Sequence, residues 1–123
     1  MRTVLVILQI AAALGLLNVW LLRFNRRTAY RGGGAASMPE EFAAYGLPAR
    51  FAYVIGALKI GAALALIVGI WLPAVVPPAA ALVCTLMVGA LAMHARIRDP
   101  LKRFLPALGM LVLCLCIWWG ATR

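Results

Sequence analysis

Residues 51–72 read FAYVIGALKIGAALALIVGIWL, an apolar run broken by one charge, Lys59. About 20 apolar residues carry a helix across the hydrocarbon core of a bilayer, so this stretch predicts a transmembrane helix. An ammonium group near the middle of such a helix costs about 2.5–3.5 kcal/mol on insertion scales. A lysine at that depth therefore needs a partner, a water-lined site or a route to the interface. What Lys59 meets is the central question for this chain.

Three more apolar runs flank the first. They place helices at about 3–22, 75–93 and 104–119, with the second helix at 51–72. The chain has 123 residues, 66% of them hydrophobic, and a mean hydropathy of +1.01. Such a chain has too little polar surface to cover a water-soluble domain. The expected fold is all-α, a single domain over 1–123, built as an integral membrane antiparallel four-helix bundle. Pro73, Pro77 and Pro78 fall between the second and third helices or in a first turn, where proline is tolerated.

The net charge is +9, from 12 basic and 3 acidic residues. The basic residues stand beside apolar runs, which points to anionic lipid headgroups and away from nucleic acid. Arg23, Arg26, Arg27, Arg31 and Arg50 lie in the first loop; Arg96, Arg98, Lys102 and Arg103 lie in the third. The opposite side carries Arg2 and Arg123. The positive-inside rule then makes loops one and three cytoplasmic, with both termini outside, in a multi-pass protein of the cell (inner) membrane. The first run is too long, and too heavily charged after its end, for a signal peptide. Trp20, Phe51, Tyr53 and Phe104 near one set of helix ends, and Trp71, Trp118 and Trp119 near the other, form the expected aromatic belts.

The first loop contains SMPEEFAAYGLP at residues 37–48, after a GGG at 32–34. Ser37 with Glu40 reads as a capping box, Pro39 suits a first turn, and Gly46 followed by Pro48 reads as a stop. A short amphipathic helix at the cytoplasmic interface is expected, carrying Glu40 and Glu41. Small residues mark the expected packing faces: Ala57, Gly61, Ala65 and Gly69, each four apart; Ala11 and Gly15, with Asn18 continuing that face; Ala81, Thr85 and Gly89; and Gly109 with, further out, Cys116 and Gly120. Lys59 lies about 200° from the stripe on its own helix, which leaves it outside that contact and beside a groove.

Lys59, Asn18, Tyr53, His94, Glu40 and Glu41 all belong to the cytoplasmic half, while Gln9 stands apart. They are the candidates for a ligand pocket or polar cluster. One reading gives Lys59 and His94 an anionic or carbonyl headgroup to bind, or a proton to move. The other pairs Lys59 with Glu40 or Glu41 and pins the loop helix under the bundle. Asp99-Pro100 reads as a turn within a basic hinge. Cys84, Cys114 and Cys116 sit inside apolar runs as packing residues. No metal-ligand set, phosphate loop or nucleophile–base set is recognisable, so no catalytic residue is assigned and a stand-alone enzyme is disfavoured. One histidine excludes a haem bound between two.

AAYGLP (43–48), IGALKIGAALALIVGIWLP (55–73) and LMVGALAMHARIRDPLKRFLPALGML (86–111) together resemble the DoxX-like family of small four-helix membrane proteins. The ordered set carries the resemblance: a charge in the second helix, Gly89-Ala90 four residues before His94, and Asp99-Pro100 before the last helix. Lys59 stands where many members carry Glu, which argues against a carboxylate-based role here. Relatives in membrane redox complexes, including a thiosulfate:quinone oxidoreductase subunit, imply an accessory subunit or binding module for a quinone or lipid, with membrane redox proteins as partners. A distant relative resembling a receptor-assembly chaperone implies the alternative, a structural or chaperone-like interaction protein without a small-molecule ligand.

Overall fold

The computed structural model describes residues 2–22 and 37–122. The GGG at 32–34 and the four arginines at 23, 26, 27 and 31 lie outside the described residues. Helix α1 spans Arg2–Leu17 and passes into a π-helical turn, Asn18–Leu22. Helix α2 is Met38–Ala44, α3 is Ala49–Val68, α4 is Val76–Arg96 and α5 is Leu105–Ala121. Short 3₁₀ turns, Pro73–Val75 and Leu101–Phe104, lead into α4 and α5. Among the described residues all regular structure is helical.

Three helices are long and apolar enough to cross a membrane: Arg50–Val68, Pro73–Arg96 and Leu101–Ala121. Helix α1 is apolar but shorter, 16 residues before its π turn. Helix α1 packs on α3 and α5, α3 on α4, α4 on α5, and α2 on α3.

The packing faces coincide with the small-residue stripes that the sequence suggests only in part: Gly69 is buried against Val76 and Gly15 lies against Met110, while Ala65 and Gly120 are half-buried. The α3 seam runs Ala52, Gly56, Lys59, Ala63 and Leu66, in alternating steps of four and three, with Ala62 buried beside it. On α4 they run Val76, Ala80, Val83, Met87 and end at His94. Helix α1 buries Gln9, Ala12, Ala13 and Leu16; α5 buries Ala107, Cys114 and Ile117. By contrast Ala11, Ala57, Gly61, Ala81, Thr85, Gly89, Gly109 and Cys116 are exposed. The reason is geometric. A helix turns ~100° per residue, so each step of four drifts by ~40°, whereas alternating threes and fours hold one face. Lys59 consequently lies inside the α3 seam, only 8% exposed, and not on the far side of the helix from its packing face.

The end of the molecule away from the acidic residues is tied by two side chains. The last turn of α3 tightens, with Ile70 N–H donating to the Ile67 carbonyl. That leaves the Leu66 carbonyl to accept from Gln9 Nε2 at 2.9 Å, while Arg2 Nη2 donates to the Ile70 carbonyl at 2.6 Å. Both satisfy carbonyls that a helix C-terminus orphans. Gln9 is thereby explained as a structural residue.

Candidate functional site

Two helix ends build the site. Ser37 caps α2, its Oγ accepting from the Glu40 N–H at 3.4 Å. The stop is a Schellman turn: Leu47 N–H donates to the Phe42 carbonyl and Gly46 N–H to the Ala43 carbonyl, with Gly46 at φ 84°. Only glycine enters that left-handed conformation without steric cost. The two turns fix α2 so that Glu41, Phe42 and Tyr45 are buried while Glu40, Ala43 and Ala44 face out.

Helix α4 ends in the same device. Asp99 N–H donates to the His94 carbonyl at 3.0 Å and Arg98 N–H to the Ala95 carbonyl at 3.1 Å. Arg98 holds the left-handed position, φ 56°. This wrap returns the Asp99 side chain to the ring it has just passed: His94 Nδ1 lies 2.7 Å from Asp99 Oδ2. Arg103 Nη1, four residues on, donates to Asp99 Oδ1 at 2.9 Å. A left-handed residue with a Cβ costs about 1–2 kcal/mol. Arg98→Gly is therefore expected to raise stability by about 0.5–1 kcal/mol, less than the full steric cost because glycine also loses more entropy on folding. A higher SDS-unfolding midpoint, with the His94–Asp99 pair intact, is the readout.

From these ends a series of polar groups runs inward. Tyr45 Oη donates to Glu41 Oε1 at 2.9 Å and lies 3.5 Å from His94 Nε2. Glu41 acts electrostatically on Lys59. The Lys59 Nζ sits 4.7 Å from the centroid of the Trp20 ring, a cation–π contact. Glu41, Lys59 and His94 are 7%, 8% and 5% exposed, so each ionisable group is withheld from solvent and depends on these neighbours. Aromatic rings wall these groups. Trp20 meets Phe42 edge-on at 6.4 Å, Phe42 meets Tyr45 at 5.8 Å, Tyr45 meets His94 at 5.8 Å, and His94 meets Phe104 at 5.5 Å.

Of the candidates named from sequence, Lys59, Glu41 and His94 come together here. Asn18, Glu40 and Tyr53 do not: each is exposed, Tyr53 at 61%. Tyr53 stands outside the α3 seam, three residues before Gly56, and Glu40 is on the outer face of α2. Trp20, Tyr45 and Asp99 are central to the site and were not among the candidates. Two of them left a trace in the sequence: Tyr45 is four residues from Glu41 on one helix, and Asp99-Pro100 follows His94 at the distance a Schellman turn requires. Trp20 left none, because its place depends on how α1 meets α3. Two apolar clefts lie elsewhere, one of ≈ 390 Å³ between α1 and α5 near Leu8 and Trp119, and one of ≈ 370 Å³ between α3 and α4 near Gly61 and Ala79.

A helical chain with three membrane-length apolar helices and a buried charged cluster at one end is an integral membrane protein in class. The profile of the DoxX-like family matches residues 28–117, most of the chain, and the protein belongs to that family. No curated protein and no solved structure matches it.

Proposed function

We propose that this DoxX-like protein is a membrane-embedded binding module, an accessory subunit of a membrane redox system, in which Lys59 engages an oxygen acceptor on a lipophilic molecule: a quinone carbonyl or a lipid phosphate. One observation carries the reading. The Lys59 ammonium is buried in a membrane-length helix, against the Trp20 ring and under the influence of Glu41. A membrane-buried cation of this kind marks a functional site by default. In this proposal the whole chain is one antiparallel four-helix domain, with α1 and its π turn as the fourth span and α2 as an amphipathic helix at the interface. The basic residues around α2 and the α4–α5 turn put that end at the cytoplasmic face of the inner membrane, beside anionic headgroups.

Native mass spectrometry of the protein released with its own lipids tests the reading. The wild type is expected to carry one tightly held lipophile, and Lys59→Met to lose it while remaining helical by circular dichroism. Equal ligand on both forms, or none on either, rejects it. The second reading, an interaction protein without a small-molecule ligand, is favoured by the close packing of the cluster. A stable protein partner on an otherwise bare chain would support that alternative.

A further inference from the structure

We propose that Trp20 is the gate of the Lys59 site, with the π-helical turn Asn18–Leu22 as its hinge. The gate controls access to the ammonium, so it rests on the binding role proposed for Lys59.

The indole occupies space that a ligand needs. Its ring centroid lies 4.7 Å from Lys59 Nζ, and both residues are buried, Trp20 at 5% and Lys59 at 8% exposed. On that side an oxygen acceptor at about 2.9 Å from Nζ would overlap the ring. Indole and ligand therefore take the ammonium in turn. The exchange favours the ligand, because a charge-assisted hydrogen bond is stronger than a cation–π contact.

The seat of the ring is made by a missing side chain. A Cβ built at Gly56 on α3 would stand 2.7 Å from Trp20 Cε3 and 3.0 Å from Cζ3, so only glycine admits the ring this close to the α3 backbone. The ring also meets Phe42 of α2 edge-on, with centroids 6.4 Å apart.

Trp20 is the middle residue of the π turn. Such turns are rare, and they are frequent at functional sites. A π turn closes its backbone hydrogen bond one residue later than an α turn, so rewinding it to α carries the residues within it around the helix axis by a discrete step. The end of α1 thus has two hydrogen-bonded registers. In the π register the indole covers the ammonium; in the α register it is turned away. A pair of discrete arrangements of this kind is the bistable element a switch requires.

The full chain, labelled with 5-fluorotryptophan in lipid nanodiscs, is read by ¹⁹F NMR with no ligand added. The chain has four tryptophans, and Trp20→Phe identifies the signal of Trp20. In the wild type that signal is expected to show a second, minor state, as a separate resonance or by relaxation dispersion. Gly56→Ala puts a Cβ where the ring lies and should raise the minor population by about threefold or more. The chain has two lysines, so Lys102→Arg leaves Lys59 as the only one. In that background the rate of reductive methylation of Lys59, read by mass spectrometry, should rise with Gly56→Ala by the same factor. Unchanged circular dichroism verifies folding. A single, exchange-free Trp20 signal in the wild type overturns the gate, whatever Gly56→Ala does. So does a Gly56→Ala protein in which the indole moves and Lys59 reacts no faster. Neither readout involves a ligand, so failure here is distinct from the absence of a co-purifying lipophile, which bears on the binding role itself.

Discussion

Glu41→Gln should destabilise the protein by about 3 kcal/mol, because it strands a buried ammonium whose compensating carboxylate has gone. Glu41 and Lys59 are 7% and 8% exposed, so neither charge has water to fall back on. Lys59→Met should also be costly, since it takes from the buried Glu41 carboxylate the cation it acts on. The double variant, Glu41→Gln with Lys59→Met, should be milder than the sum of the two: the methionine fills the α3 seam between Gly56 and Ala63 and no isolated charge remains. SDS-unfolding of the four proteins in the same lipid provides the cycle. Strictly additive losses would show that the two groups do not depend on each other, and that charge compensation is not what holds the cluster together.

Gly56→Val should cost about 2 kcal/mol through overpacking. A Cβ built at Gly56 lies 2.7 Å from Trp20 Cε3 and 3.0 Å from Cζ3, inside the closest approach of real side chains. Trp20 is only 5% exposed and is wedged between α3 and α2, so the indole has to leave its seat. Its departure takes the cation–π contact from Lys59 and the edge-on contact from Phe42. Combining Gly56→Val with Trp20→Phe should recover part of the loss, since the smaller ring makes room. A double variant no better than the sum of the singles would mean that Gly56 matters for some reason other than the close approach of Trp20.

Much of this architecture is legible in the sequence because it is set locally. Twenty-residue apolar runs can only be helices in a bilayer, where each backbone group must find its partner within the segment. The Ser37 cap and the Gly46 stop of α2 are local hydrogen-bond chemistry, and Asp99-Pro100 announces a turn by the conformational limits of proline. Lys59 stands out as a charge in an apolar run, and His94 as the sole histidine, on residue type alone.

The packing faces are less legible. In a chain where nearly every residue of a span is apolar, polarity does not separate the inner face from the outer, and small residues occur on both. The stripe from Ala57 to Gly61 looks like a contact and is exposed, while Lys59, which looks like an exile, lies in the seam.

By itself the sequence determined that the chain is helical and membrane-embedded, where α2 begins and stops, and which charges are anomalous. These follow from interactions between residues a few positions apart. The tertiary structure alone decided that Glu41 and not Glu40 acts on Lys59, that Trp20 covers the ammonium, and that Tyr45 links Glu41 to His94. Those contacts join α1, α2, α3 and α4, and they depend on helix rotations to within a fraction of a turn. Rotation is set by how side chains interlock across a seam, a property of pairs of helices that no single stretch of sequence contains.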